Sequence, residues 1–481
     1  MSFARKAAKS GLWFAGFRFT TQLFSWVVTI AIARILVPED YGLMAMASIL
    51  TGYVEIFSEL GLGAAIIQKK EITNAELSST FWLSMIVGTI LSIASFGLAY
   101  PTAWIFNEPR IIPITQLISV LFIIGALMIV PYNILSREVK FKQIGMIQLF
   151  AVVVASLSML MMAKAGFGVW TLINGTIILR CVTVILTFWA TKWYPKLHFQ
   201  FSEAKPLLKF GISIAGSRSL FYIFQKSDKL IVGKMFNAQS LGYYSFAMQL
   251  ASIPTDKIVS IVNQVSFPVF SRYQEDAARI QDMYLKTTKY ISLLIAPLFF
   301  GGFFFGDEII IVLLGEKWAP IIFVFKIFCI AQFIVSITAI NSVIHSSQGR
   351  PHWAINFHLA NTLLMPVTIF IVARYGFNAL AFPWITVYPL VCVGWTWITL
   401  RKLNISVSKY LQVFSTPFLA TLFMIVGIWG TQLALNIIWL MPRSLKLILS
   451  QEIVAGIIIY TTYLLFFERK ALLAIWNLRK N

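Results

Sequence analysis

The chain has 481 residues, of which 58% are hydrophobic and only 12% charged, with a mean hydropathy of +0.80. Apolar runs of about 20 residues recur along its whole length, which excludes a soluble enzyme and places it among polytopic membrane proteins. The formal net charge of +20 falls mostly in loops on one membrane side, where it reads as topology and contact with anionic lipid, not nucleic-acid binding.

In chain order, fourteen spans are predicted, at about 10–34, 41–67, 78–100, 112–136, 144–163, 168–190, 210–234, 241–270, 288–306, 319–345, 353–373, 377–400, 412–435 and 446–467. Their apolar runs lack period-two alternation, so they read as helices, which satisfy their own backbone in hydrocarbon. Arg5, Lys6 and Lys9 precede the first run, which is too long for a signal peptide and reads as an uncleaved first span. Spans one to six make an amino-terminal lobe over 1–190, joined by a cytoplasmic linker over 191–209 to a second six-helix lobe over 210–403. Two additional helices and a cytoplasmic tail occupy 404–481. Most of the 39 Lys and Arg residues lie on the side of both termini, which the positive-inside rule makes cytoplasmic. The linker carries Pro195 and Pro206 and offers a hinge, and Arg272 to Lys289 reads as a charged helix along the cytoplasmic interface. Loops on the opposite side are about a dozen residues or fewer, too short for an extracytoplasmic catalytic domain.

The two lobes are copies of one another. Gly11, Ala15, Gly16, Arg18, Phe24, Gly42, Ala47 and Leu50 recur, 200 positions on, as Gly211, Ala215, Gly216, Arg218, Phe224, Gly242, Ala247 and Leu250, and Arg34 becomes Lys234. Further along, Ala163 to Phe167 matches Ala373 to Phe377 at an offset of 210, so about ten residues have entered the second copy. Six spans per copy is an even number, so the repeats are parallel and related by an axis along the membrane normal. The G-x-x-x-x-G spacings at Gly11 to Gly16 and Gly211 to Gly216 lack the Lys-Ser/Thr of a P-loop and suit close helix packing.

Charges inside spans cost about 2.5–3.5 kcal/mol each when central, so they face a cavity or a partner. At helical spacing Arg218, Tyr222, Gln225 and Lys229 share one face, as do Arg18, Gln22, Ser25 and Thr29 in the first copy. Both stripes are read as lining a shared aqueous cavity, with Lys226 and Asp228 flanking the second. Spans two and eight add Glu55, Glu59 and Asp256. Guanidinium and ammonium groups facing such a space suit phosphate or diphosphate, while Glu55, Glu59, Asp228 and Asp256 are candidates for taking up a coupling H⁺ or Na⁺. The competing reading is buried ion pairs, such as Asp228 with Lys257 or Glu55 with Arg18. Lys326 reads as a lone charge that snorkels. Cys181, Cys329 and Cys392 are scattered within spans, and His198, His345, His352 and His358 lie near cytoplasmic loops without metal-ligand spacing. No metal or other cofactor is expected.

Three segments carry a family resemblance: Arg34-Ile-Leu-Val-Pro38-Glu-Asp-Tyr41-Gly42, Glu59-Leu-Gly61-Leu-Gly63-Ala-Ala-Ile-Ile67-Gln68 and Glu76-Leu-Ser-Ser-Thr-Phe81-Trp82. They resemble the Wzx/RfbX polysaccharide exporters, and within them the WzxC-like colanic acid exporter branch, over nearly the whole chain. The resemblance implies the multidrug/oligosaccharidyl-lipid/polysaccharide superfamily: an all-α protein of 14 transmembrane helices, two six-helix lobes forming a V around a central cavity, plus two extra carboxy-terminal helices. It also implies a flippase, not an enzyme, that moves undecaprenyl-diphosphate-linked oligosaccharide across the bacterial inner membrane by alternating access. Cationic residues of the first and seventh helices, here Arg18, Arg218, Lys226 and Lys229, would line the cavity. Expected partners are inner-membrane lipids, the lipid-linked substrate and polysaccharide polymerase and assembly proteins. A multidrug or lipid II transporter of the same superfamily, or a polytopic polymerase, is the alternative.

Overall fold

The computed structural model describes residues 3–58, 62–69, 71–200, 222, 226–350, 352–438 and 444–468. Among them there are helices and no strands. In chain order these are α1 (Phe3–Ile35), α2 (Pro38–Ser58), α3 (Leu62–Gln68), α4 (Asn74–Phe106), α5 (Ile111–Arg137), α6 (Phe141–Lys164) and α7 (Trp170–Thr191). A helix over 226–235 (α8) is followed by α9 (Ala238–Pro254), a π-helical turn (Thr255–Val259), α10 (Ser260–Arg272), α11 (Ala277–Phe304) and α12 (Gly306–Leu314). A 3₁₀ turn (Glu316–Ile321) leads into α13 (Ile322–Ser347), then α14 (His352–Val372), α15 (Val387–Lys402), α16 (Val407–Gln412), α17 (Ser415–Ile438) and α18 (Leu445–Phe467). Ten helices are long and apolar enough to cross a membrane. The α1–α2 pair passes the same test jointly but bends by 116°. The chain is therefore a multi-pass membrane protein. It divides into two compact units, Met1–Ser245 and Phe246–Asn481.

The duplication is visible in the helix boundaries. In the first copy α1 stops at Ile35 and α2 starts at Pro38; in the second, α8 stops at 235 and α9 starts at Ala238. Pro38 fits the first helical position because its missing N–H needs no partner there, and Asp40 accepts the Val37 N–H at 3.1 Å. The two helix starts meet within the first unit. A carbon added at Gly42 would lie 1.6 Å from the Ala238 carbonyl oxygen, and one added at Gly242 would lie 1.8 Å from that of Pro38. Each helix thus lays a glycine against the other's backbone, as a local two-fold requires. Gly166 and Gly376, paired by the later offset, both adopt left-handed φ, +82° and +106°, which a side chain would strain. The insertion is also placed. α4 ends at Phe106 and α11 at Phe304, 198 residues on, whereas α5 starts at Ile111 and α13 at Ile322, 211 residues on. The added residues are α12 and the 3₁₀ turn.

Each of the three segments that carry the family resemblance has a local physical role. The first forms the α1–α2 corner and its glycine crossing. The second includes α3, whose carboxy-terminal carbonyls are held by Arg137, donating from Nη1 to Ile66 O at 2.7 Å and to Lys69 O. The third opens α4 with a capping box between Thr73 and Glu76 and then pins the inter-lobe linker. Lys196 N–H donates to Ser78 Oγ, Gln200 N–H to Ser79 Oγ and Trp82 Nε1 to Lys196 O, at 2.8–3.1 Å. Phe81 packs on Phe188 and Trp193 beside them. The linker is therefore strapped to α4 through Gln200; residues 201–209 lie outside the described ones.

Several expectations are corrected. The span over 41–67 is divided into α2 and α3, and that over 241–270 is interrupted by the π turn. The segment Arg272 to Lys289 is no separate interfacial helix, because α11 begins at Ala277 and continues through Lys289 to Phe304. Lys326 is not a lone charge, since it pairs with Asp307. His345 is buried, with Nε2 3.0 Å from Thr399 Oγ1 and its ring stacked on Trp353. It belongs to a polar seam through α11, α13 and α15 in which Tyr284 donates to Asn341 at 2.7 Å and Asn341 to Thr396 at 3.0 Å. Such seams specify register in hydrocarbon, where few other partners exist.

Gly42→Ala should lower the midpoint of thermal unfolding, because a methyl forced against a backbone carbonyl costs about 1–3 kcal/mol. Gly97→Ala, which meets no atom within 4 Å, should leave it unchanged or raised. Equal midpoints for the two variants would remove the packing role assigned to the crossing.

Candidate functional site

Two polar pockets open in the first unit, and α5 walls both. One, of about 430 Å³, is lined by Arg18, Thr21, Gln22 and Ser25 of α1, Tyr132 of α5, and Gln148 and Val152 of α6. The α1 stripe inferred from helical spacing thus reaches a pocket through three of its four members. Gln148 Nε2 donates to the Tyr132 hydroxyl at 3.3 Å, and Arg18 acts electrostatically on Tyr132. The wall is therefore a set of donors and acceptors around an exposed guanidinium.

The second pocket, of about 370 Å³, starts one turn away along α5 at Met128 and Ile129. Ser48, Thr51 and Glu55 of α2 form one side, Thr176 and Arg180 of α7 another, and Tyr222 and Lys226 close it. Glu55 pairs with Arg180 at 3.4 Å, which answers the expectation of a Glu55–Arg18 pair with a different arginine. Tyr222 holds its edge in place: its hydroxyl donates to the Ser48 and Ile49 carbonyls, at distances of 3.1 and 2.9 Å. Those carbonyls are accessible because Gly52 has no side chain; a carbon there would lie 2.2 Å from the Tyr222 hydroxyl. Lys226 sits 5.7 Å from the Tyr222 ring centroid, a cation–π distance. A guanidinium, an ammonium and several hydroxyls therefore face one space beside a single carboxylate. That set can bind an anion in competition with Glu55.

The remaining candidates separate. Asp228 is buried, with one oxygen accepting from the Tyr244 hydroxyl at 3.1 Å and the other from the Lys229 N–H at 2.7 Å. It is a satisfied carboxylate tying α8 to α9. Lys229 lies beside it and lines neither pocket. Asp256 belongs to the second unit, exposed in the π turn, where Ser252 Oγ donates to it at 3.1 Å. Arg218, Gln225 and Glu59 lie outside the described residues. Arg180 and Thr176 were missed by the sequence reading. The available signal was an arginine midway along an otherwise apolar span, with Thr176 one turn before it.

The family model for polysaccharide biosynthesis proteins matches residues 31–323. The chain is similar to the teichuronic acid biosynthesis protein TuaB of Bacillus subtilis, 25% identical over 394 residues and covering 80% of each chain. It is 24% identical to the lipopolysaccharide biosynthesis protein WzxC of Escherichia coli over 340 residues, 69% of this chain and 68% of that one. It is 25% identical to the succinoglycan biosynthesis transport protein ExoT of Rhizobium meliloti over 452 residues, 92% and 90%. In fold it is similar to the lipid II flippase MurJ in an inward closed conformation, with a TM-score of 0.71, 15% identity and coverage of 95% and 99%. An inward-facing multidrug transporter of the multidrug/oligosaccharidyl-lipid/polysaccharide superfamily gives a TM-score of 0.62 at 12% identity, covering 79% and 94%.

Tyr222→Phe should cost about 0.5–1.5 kcal/mol, the net worth of a buried hydrogen bond, and lower the unfolding midpoint without changing helix content. A midpoint equal to that of the unaltered protein would mean that the hydroxyl does not hold α2.

With a family model spanning most of the chain and a transporter fold around polar pockets at membrane depth, the chain belongs to the polysaccharide biosynthesis protein family, in agreement with the exporter resemblance in its sequence.

Proposed function

We propose that this protein is a secondary-active flippase that carries undecaprenyl-diphosphate-linked oligosaccharide from the cytoplasmic to the periplasmic leaflet of the bacterial inner membrane, both termini being cytoplasmic. The observation that carries the reading is the first-unit pocket in which Arg180 and Lys226 face a space shared with Glu55. Charges at this depth are costly unless used. A diphosphate offers paired oxygens to a guanidinium and displaces the loosely held Glu55, and the freed carboxylate then takes up a proton or Na⁺. Arg18 with Gln22 and Ser25 supplies a second polar station for the sugar hydroxyls. In this proposal fourteen helices, arranged as two six-helix lobes and two further helices, alternate access to the site while the polyprenyl tail stays in lipid. Arg218, Gln225 and Lys229 complete the basic stripe, and Glu59, Asp228 and Asp256 are the other coupling candidates. Polymerase and assembly proteins would receive the product. The fold likeness to a lipid II flippase supports lipid-linked glycans over soluble drugs as cargo.

The test is leaflet-to-leaflet movement of fluorescent undecaprenyl-diphosphate oligosaccharide in liposomes, with lipid II as a comparison cargo and with and without a proton gradient. Arg180→Ala should slow movement about 10–100-fold, the value of a charge-assisted contact of about 1.5–3 kcal/mol, and Arg218→Ala should abolish it, both with unchanged unfolding midpoints. Full-rate movement by the two folded variants would overturn the anion site; faster movement of lipid II would reassign the cargo.

A further inference from the structure

The second unit contains a pocket of about 320 Å³ between α11, α12, α17 and α18. Its walls are apolar, with Leu298, Met424, Ile428, Ile453 and Ile457 among them. A carbon placed on Gly301 would meet nothing within 4 Å, so the chain itself leaves the space open. One carboxyl enters it. Glu452 of α18 is 6% exposed; its Oε1 is 3.4 Å from Gln432 Nε2, and its Oε2 is buried without a hydrogen-bond partner. On α12, which packs against α18, Glu308 Oε2 is likewise buried and without a partner, and Glu308 acts electrostatically on Glu452. The adjacent acid, Asp307, is paired with Lys326. The two orphaned oxygens are therefore not part of a general acidic face.

Both glutamates come from parts of the chain outside the duplicated plan, Glu308 from the segment inserted into the second copy and Glu452 from the additional carboxy-terminal helices. Two separate departures from the repeat converge on one pocket. A buried carboxyl oxygen without a donor is costly, and buried polar groups left unsatisfied by the chain itself point to an outside partner.

We propose that this pocket binds a membrane-soluble molecule with a primary ammonium head on an apolar body, the head donating to Glu452 Oε2 and Glu308 Oε2 and the body lying along the apolar wall. An ammonium carries three N–H donors and a positive charge, enough for both oxygens and their charge. A hydroxyl has one donor and no charge, a quaternary ammonium has charge but no donor, and a bare hydrocarbon chain leaves both oxygens unsatisfied. Glu452 lies eight residues beyond the Ser444 cap, about 12 Å along the axis at 1.5 Å per residue. Ile453 and Ile457 on the same helix are more than half exposed, giving the apolar body a lipid-side entry. The head group is supplied either by an amine-bearing phospholipid or by a free long-chain amine. The site stands independently of the flippase reading.

The test is native mass spectrometry of the full chain titrated with dodecylamine, dodecanol and dodecyltrimethylammonium, and in parallel with phosphatidylethanolamine and phosphatidylcholine. Dodecylamine should bind at least tenfold more tightly than the other two single-chain probes, and Glu452→Gln should weaken it at least tenfold. Retention of phosphatidylethanolamine over phosphatidylcholine identifies the phospholipid source; retention of dodecylamine alone identifies a free amine. In the unaltered protein, dodecylamine and not dodecanol should shield Glu452 from dicyclohexylcarbodiimide, read by peptide mass spectrometry. This second readout holds if the variant fails to fold. Equal binding of dodecanol and dodecylamine, or equal labelling with and without the amine, overturns the proposal.

Discussion

The first unit depends on two helix starts lying backbone to backbone. Gly42 faces the Ala238 carbonyl and Gly242 faces that of Pro38, so the duplicated sequence is closed on itself by the smallest residue at equivalent positions of both copies. The approach fixes where α9 begins relative to α2, and with it the neighbouring α8. Tyr222, just ahead of α8, then bonds the α2 carbonyls over Gly52. The polar pocket bounded by Tyr222 and Lys226 is thus a consequence of the crossing. Hydrocarbon supplies no hydrophobic drive between helices, so close approach of backbones and side-chain hydrogen bonds must supply the contact instead.

The treatment of charge follows from the same solvent. Arg180 has Glu55, Lys326 has Asp307, Lys289 has Glu468 at 2.5 Å, and buried Asp228 has a tyrosine hydroxyl and a backbone amide. Each pair joins different helices and so does structural duty as well. In the first-unit pocket the pairing is loose and the space beside it open, which separates a group available to a ligand from one committed to the fold. The orphaned oxygens of Glu308 and Glu452 depart from this rule in the opposite sense, as acids with no cation.

Much of this was legible in the sequence, because a membrane restricts the chain to helices whose lengths and boundaries follow hydropathy. The 200-residue repeat located the paired corners at Pro38 and Ala238 to the residue, and the shift to 210 announced an insertion without placing it. Spacing on α1 correctly grouped Arg18, Gln22 and Ser25. It did not find Arg180, because helical periodicity reports which residues share a face and not which helix stands opposite. The division of 41–67 and the π turn at Thr255 were equally invisible: both interrupt hydrogen bonding while leaving hydropathy continuous. The strap from Trp82 to Lys196 was hidden for another reason, since it joins an aromatic side chain to a backbone carbonyl 114 residues away.

The crossing also bears on how the chain is made. A helix start that needs a carbonyl from 200 residues later cannot be completed as it emerges, so the first seven helices must wait in the bilayer with the Gly42 surface and the groove above Gly52 uncovered. During that interval the exposed corner is a template for a second nascent chain bearing the same Gly242 segment. Contacts of such long sequence separation form slowly and invite exchange between chains. Splitting the gene at the boundary between its two copies would make the wait permanent: the amino-terminal fragment would carry six helices and no means of closing its own corner until a separately made carboxy-terminal fragment delivered α8 and α9.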